Sequence, residues 1–243
     1  MFKTLSIVIS VYNEEKYLKK ILDKVIASNS LGLKKDVIVI NDGSTDRSER
    51  VIKEQIVKLA KKNINVNFNL LKNKKNKGKG AALKQGFISS KGDIVLVQDA
   101  DLEYDPNDYP VLLVPFLQQN ADVVYGSRFI SAKPHRVLYF WHYLGNMLIT
   151  TLSNMLTNLN LTDIETGYKI FKGELIRKIA PSLQSKRFGF EPEITARIAK
   201  IKNLKIYEVG ISYFGRTYEE GKKIGWKDGV KAIWEIIKYN LFT

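Results

Sequence analysis

The sequence predicts an α/β fold: a mostly parallel central sheet with helices on both faces, followed by a C-terminal helical extension. Over the first 125 residues, short apolar runs rich in Val and Ile alternate with longer stretches of helical periodicity. Polar loops, Tyr12-Asn13-Glu14, Asn41-Asp42-Gly43-Ser44 and Asp99-Ala100-Asp101, follow the carboxyl ends of three of those runs. Repeats and low-complexity tracts are absent. Such alternation implies parallel strands joined by crossover helices.

Taken in order, Leu5 to Val11 is a β-rich run and forms the first expected strand. Glu14 to Ser28 sets Tyr17, Leu18, Ile21, Leu22 and Val25 at helical spacing. Asp36 to Ile40 is a second strand, Asp46 to Lys61 a second helix, and Val66 to Leu71 a third strand. Gly80 to Ser89 is a third helix, and Ile94 to Gln98 a fourth strand that runs into Asp99. In open sheets of this kind ligands bind beyond the carboxyl ends of the strands, so the three polar loops converge on one edge.

After Tyr125 the pattern changes. Val137 to Thr162 contains no Lys, Arg, Asp or Glu, yet carries Asn146, Thr150, Thr151, Ser153, Asn154 and Asn158. Three readings stand: a membrane span, an amphipathic or re-entrant helix at the bilayer surface, or packing within the core or against a second copy in a homo-oligomer. Phe190 to Lys200 is helical in pattern and Lys205 to Val209 is strand-like. Trp226 to Tyr239 is a basic amphipathic helix with an apolar stripe of Val230, Ile233, Trp234 and Ile237 flanked by Lys227, Lys231 and Lys238. That stripe either docks on the core or attaches the protein peripherally to a membrane.

Composition narrows the chemistry. With 243 residues, 44% of them hydrophobic, the chain can bury one large domain core. Cysteine is absent, so a metal would be held by oxygen or by the two histidines, which favours a hard cation. Met1-Phe2-Lys3 and the apolar run after it have the look of a weak signal peptide. Asn13-Glu14-Glu15 ends the run and no small-residue cleavage site follows, so we read a buried strand of an intracellular protein. The net charge of +14 favours polyanionic partners: nucleic acid, anionic headgroups or phosphorylated substrates.

Asp99 and Asp101 stand one residue apart at a strand end, where two carboxylates need a counter-cation once desolvated. Mg²⁺ or Mn²⁺, bound by one or two carboxylates plus diphosphate oxygens, supplies it, and Glu103 is close enough in sequence to join. Asp42 can accept hydrogen bonds from a base or ribose, with Gly43 in the same turn, while Ser44 or Asp46 caps the next helix. Asn76 to Ala82 is a glycine-spaced basic loop opening a helix. It brings Lys79 and backbone N–H groups towards an anion, although the nucleotide hydrolases' phosphate-loop pattern is missing. Gly126-Ser127-Arg128 and the segment from Arg216 to Lys223, with Lys222 and Lys223, add cations beside glycines, suited to phosphate. His135 and His142 are read as packing or surface residues.

As an ordered set, Val11-Tyr12-Asn13-Glu14, Asn41-Asp42-Gly43-Ser44, Asn76 to Ala82, Asp99-Ala100-Asp101, Gly126-Ser127-Arg128, Thr162-Asp163-Ile164-Glu165-Thr166-Gly167-Tyr168-Lys169 and the Arg216 to Lys223 loop resemble the family 2 glycosyltransferases. The dolichyl- or polyprenyl-phosphate sugar transferases are the most similar group. The resemblance implies a GT-A type nucleotide-binding sandwich over residues 1–215, with residues 216–243 as a basic loop and amphipathic helix. It also implies that Val11, Tyr12, Glu14, Asp42 and Gly43 surround the nucleoside. Asp99 and Asp101 would hold metal and diphosphate, Glu103 stands where the group often has Gln, and Arg128, Arg216, Lys222 and Lys223 would clamp acceptor phosphate and donor diphosphate.

The implied reaction is inverting transfer of a sugar from a UDP-glucose or GDP-mannose type donor to a polyprenyl or dolichyl phosphate. The enzyme would sit peripherally on the inner, cytoplasmic face of the membrane. A lipid phosphate is already anionic and needs no strong base, so positioning and charge neutralisation carry the catalysis. A sugar or protein hydroxyl as acceptor would need a carboxylate base, for which Asp163, Glu165 and Glu191 are the candidates. Nucleotidyl transfer with release of pyrophosphate is a rival on a similar sheet. A specific nucleic-acid module is disfavoured because the aromatics do not interleave with the lysines.

Overall fold

Strand β1 (Thr4–Val11) is apolar on both sides because both faces of the sheet are covered. Leu5, Ile7, Ile9 and Val11 enter one core cluster and Val8 the other. The computed structural model describes residues 2–63, 65–130, 136–137, 139–187, 189–216 and 226–242. After β1 come α1 (Glu15–Ala27), β2 (Lys34–Asn41), α2 (Ser48–Lys62), β3 (Asn67–Lys72), α3 (Lys79–Ser89), β4 (Ile94–Asp99), α4 (Tyr109–Gln118) and β5 (Val123–Ser127). The second half adds α5 (Phe140–Thr157), β6 (Lys169–Lys172), α6 (Gly173–Ile179), α7 (Phe190–Ala199), β7 (Ile206–Gly210) and α8 (Trp226–Leu241). The expected α/β class is borne out.

Among the described residues the sheet has the order β3-β2-β1-β4-β6-β5-β7. Neighbours are parallel except around β6, which runs antiparallel to both β4 and β5. The chain builds outward from β1 through β2 to β3, then returns to the other side of β1 as β4. This reversal opens a crevice at the carboxyl ends of β1 and β4, where Ser10 lies in register with Asp99. One face is packed by Leu18, Ile21 and Leu22 of α1, Ile52 of α2 and Leu112 of α4. The other is packed by Leu83 and Phe87 of α3, Ile176 of α6, Phe190 and Ile194 of α7 and Ile236 of α8.

Helix α5, within the charge-free segment, meets the core with a mixed face, on which Ile149, Leu152 and Leu156 are partly buried. Its buried residues are Thr150 and Ser153, while Phe140, Trp141, Leu144, Leu148 and Met155 are exposed, Trp141 to 76%. The inward polar groups hold the chain: Asn154 exchanges hydrogen bonds with the backbone of Leu161, and Thr150 accepts one from the Ile164 N–H. Helix α8 buries Ala232, Ile236 and Tyr239 and exposes Val230, Trp234 and Leu241. Two members of the stripe read from the sequence thus face outward, and the core is met by the neighbouring face. Among the described residues no helix is long and apolar enough to cross a membrane.

Candidate active site

Asp99 is the last residue of β4, and Lys79, in the first turn of α3, reaches its Oδ1 and Oδ2 at 3.0 and 3.2 Å. The same ammonium contacts Glu191 Oε1 at 3.0 Å, from the first turn of α7. Burial works against the charge of Lys79, but Asp99 and Glu191 outweigh it and hold the group well above the usual lysine range. Arg216 does for Asp101 what Lys79 does for Asp99. Its NH2 lies 2.8 Å from Asp101 Oδ2, its Nε 3.2 Å from Glu103 Oε1, and its NH1 3.7 Å from Glu14 Oε2. Burial, with the charges of Asp99 and Glu103, pushes Asp101 up to about 7 against the pull of Arg216.

The expected metal set, Asp99, Asp101 and Glu103, is engaged by cations of the protein itself. Among the described residues no three acidic or histidine side chains converge as a ready-made metal cage. Glu103 is spent elsewhere, accepting from the Tyr213 hydroxyl at 3.0 Å and from the Arg216 N–H and Nε. Asp99 and Asp101 are paired likewise, with Lys79 and Arg216, and make an all-oxygen pair suited to a hard divalent ion whose other ligands come from a diphosphate.

Asp42, expected beside the nucleoside, is also engaged within the protein. Its Oδ1 accepts from Asn73 Nδ2 at 2.7 Å and from the Lys77 N–H at 3.0 Å. Its Oδ2 accepts from the N–H groups of Lys77 and Gly78 at 3.1 and 2.7 Å. Three N–H groups occupy its oxygens, that of Lys77 shared between both, so the carboxylate anchors the basic loop. Gly43 serves the same packing: at φ +68 its backbone lies so close to the loop that a Cβ would stand 2.5 Å from the Lys75 carbonyl carbon. The Val11 carbonyl accepts from the Asp42 N–H at 2.8 Å, Tyr12 is exposed, and Glu14 is buried at the start of α1.

Asp163 is fully buried and grips Arg128 through two bonds of 2.7 Å, to Nε and NH2. Burial opposes the charge of Arg128, but this partner holds it well above its usual range. With both oxygens so engaged, Asp163 fits a positioning task for Arg128 and not that of a proton acceptor. Glu165 and Glu191 are different: Glu165 Oε1 and Glu191 Oε2 are sealed from solvent and without a hydrogen-bond partner. His142 is half-buried against the Tyr139 ring at 5.6 Å, in keeping with a packing residue. Lys222, Lys223 and His135 lie outside the described residues.

Two features escaped sequence reasoning. Lys169, buried and drawn down to about 8 by that burial, donates from Nζ to the carbonyls of Ile164 and Thr166 at 2.8 and 2.6 Å and ties the turn before β6. Beneath Asp99, Gln98 Oε1 accepts from the hydroxyls of Tyr109 and Tyr168, both at 2.9 Å, and the Tyr104 hydroxyl accepts from the Gly167 N–H at 2.8 Å. A lysine in a strand and scattered tyrosines give no sequence signal of this kind.

The model of the family "Glycosyl transferase family 2" matches residues 6–180. The chain belongs to this family. It is a glycosyltransferase, and the resemblance read from its motifs is upheld. It is 31% identical over 232 residues to a dolichyl-phosphate beta-glucosyltransferase of Dictyostelium discoideum, covering 90% of this chain and 68% of that one. It is 25% identical over 244 residues to the UDP-N-acetylglucosamine–dolichyl-phosphate N-acetylglucosaminyltransferase of Methanococcus voltae, covering 97% and 95%. Among solved structures, glucosyl-3-phosphoglycerate synthase of Mycobacterium tuberculosis in complex with Mn²⁺, UDP and phosphoglyceric acid superposes with a TM-score of 0.70. Sequence identity there is 18%, with 99% of this chain and 80% of that one covered. That likeness establishes the GT-A fold.

Proposed function

We propose that this family 2 enzyme transfers a sugar from a nucleoside diphosphate donor to a polyprenyl or dolichyl phosphate, with inversion, at a membrane surface. The observation that carries the reading is the row of paired charges along the carboxyl edge of β1 and β4: Asp99 with Lys79, Asp101 with Arg216, and Arg128 behind them. The names of the dolichyl-phosphate relatives support the acceptor, and the Mn²⁺ and UDP of the structural neighbour support the cofactor and donor classes. Asp99 and Asp101 would hold Mg²⁺ or Mn²⁺, which when bound supplies positive charge to the departing diphosphate.

The protein's own groups do the remaining work. Arg216 and Lys79 sit where a diphosphate must lie and can pass from carboxylate to phosphate oxygens with little movement. Tyr12 and Glu14 border the nucleoside end, and Arg128, fixed by Asp163, offers the acceptor phosphate a positioned cation. The phosphate oxygen attacks the anomeric carbon as an anion, so the residues orient and neutralise rather than remove a proton. Lys222 and Lys223 belong to this reading as further phosphate contacts.

The outward apolar faces of α5 and α8 support peripheral membrane attachment. Ile149 of α5 packs beside Gly229 of α8, so the two helices present Trp141, Leu148, Val230 and Trp234 from adjoining elements. The test is incubation with radiolabelled UDP- and GDP-sugars, polyprenyl phosphate and Mn²⁺ or Mg²⁺, followed by organic extraction. Lipid-soluble label is expected. Label confined to the aqueous phase, with donor consumed, refutes the lipid acceptor.

A further inference from the structure

Away from the active edge, helix α8 has two unlike borders. At helical spacing Val230, Trp234 and Leu241 fall on one exposed line, with Lys231 and Lys238 together along one side of it. On the other side Gly229 packs beside Ile149 of α5, so the apolar surface continues there onto α5. Against the lysine border lies a cleft of about 240 Å³ between α8 and the residues that lead into α7. Lys186 and Arg187 enter it from one wall and Lys231 from the other, and all three are exposed. The wall that carries Lys186 and Arg187 is fixed by bonds. Glu193 accepts from the N–H groups of Gln184 and Ser185 at 2.7 to 3.0 Å, and the Lys186 carbonyl accepts from the Ala81 N–H at 3.2 Å. Ser185 Oγ donates to the Tyr239 hydroxyl of α8 at 3.0 Å, and a Cβ on Gly189 would stand 2.9 Å from Glu235 Cγ, so this wall closes tightly on the helix.

We propose that Lys186, Arg187 and Lys231 form a site for the phosphate of an anionic phospholipid headgroup, at the border of the apolar surface of α5 and α8. The assignment rests on the membrane reading above and deepens it by naming the class of lipid. Lys79, Arg128 and Arg216 at the active edge all have carboxylate partners. Among the described residues the three cations of the cleft have none, so their charge is available to a phosphate. The carboxylate on the same wall as Lys231, Glu235, turns Oε2 inward, sealed from solvent, with the Lys238 ammonium 3.8 Å away. Place and charge agree: a helix that lays its apolar face into the acyl boundary holds the cations along its border at the level of the headgroups. A zwitterionic headgroup cancels the charge of its own phosphate, so three unpaired cations select a lipid of net negative charge.

The test is co-sedimentation of the full chain with vesicles of phosphatidylcholine alone and of phosphatidylcholine with phosphatidylglycerol. We expect the anionic vesicles to bind the wild type more tightly by about tenfold or more. Lys186→Ala, Arg187→Ala and Lys231→Ala should each remove about fivefold of that gain, the contribution of one cation near an anionic surface, and leave binding to phosphatidylcholine unchanged. The control is the double variant Lys19→Ala with Lys20→Ala. Both lysines are exposed on α1, which packs on the opposite face of the sheet from α8, and the control should keep the gain. An equal loss in the control shows that the net charge of +14 acts diffusely, and overturns the site. Release from the anionic vesicles by glycerol phosphate at the concentration of the lipid phosphate assigns the cleft to a soluble phosphate and overturns the lipid. Equal binding of the wild type to both vesicles overturns the site and leaves attachment through the apolar surface standing. Binding to neither overturns the membrane reading itself.

Discussion

Asp101 bears two burdens that add, desolvation beyond the end of β4 and repulsion from Asp99 and Glu103, which Arg216 relieves in part, while Lys79 pairs with Asp99. Replacing either aspartate by Asn removes half of the oxygen pair. We expect metal-assisted nucleotide binding to weaken at least tenfold, and activity by at least a hundredfold, measured by calorimetry and product extraction. The Asp163–Arg128 pair responds differently. Asp163→Asn leaves a guanidinium buried without its counter-charge, at a cost of about 3 kcal/mol of stability by denaturant unfolding. Glu165 has a consequence for pH. Its carboxyl ionises near 4.5 when unfolded but at about 8 when folded, chiefly through burial and then through Glu191, with Lys169 and Arg128 opposing. Between those values the folded chain holds the extra proton, so this group's stabilisation is complete below about pH 4.5 and lost as pH rises through 8. Thermal denaturation without added metal should show that slope, and Glu165→Gln should flatten it.

At the scale of the element, α5 is the informative case. Its inner face is mixed, with Thr150 and Ser153 buried beside the partly buried Ile149, Leu152 and Leu156, while Trp141, Leu148 and Met155 face out. The inward polar groups are not idle, since Asn146 accepts from Arg128 at 3.3 Å and Asn154 secures Leu161. One helix therefore joins the exposed apolar surface to Arg128, the residue proposed above to meet the acceptor phosphate. Trp141→Glu and Leu148→Glu should each reduce binding to anionic liposomes by tenfold or more, given about 2 kcal/mol for a buried large apolar side chain. The melting temperature should remain close to wild type. If instead the face packs against a second copy, the same variants will change the sedimentation of lipid-free protein and leave liposome binding intact.

At the scale of the whole molecule, the insertion of β6 between β4 and β5 decides where the site is completed. Because β6 runs antiparallel, its leading turn, and not its trailing one, arrives at the active edge beside Asp99. Lys169 then pins that turn from below, and the absence of a side chain at Gly167 lets it close onto the carboxylate. Gly167→Ala would press both on Asp99 and on the buried Tyr104 ring, whose Cε2 would lie 2.7 Å from the new Cβ, so the carboxylate and the ring must both give way. The expected result is metal-dependent nucleotide affinity lowered about tenfold, read by calorimetry beside an unchanged circular dichroism spectrum.

The α/β class, the first four strands with their intervening helices, and the acidic pair at the tip of β4 were legible along the chain. Periodicity and buried apolar runs are local properties, and the polar loops must follow the strands that carry them. The four-residue β6, bounded by Lys169 and Lys172, gave no such pattern, and its direction is set by its neighbours. It took the folded chain to bring Asp42 onto the loop it anchors, Glu103 onto Arg216 and Tyr213, and Thr150 and Ser153 of α5 onto the core. Each of those depends on which distant groups arrive within hydrogen-bond reach, a matter of three-dimensional closure that spacing along the chain does not encode.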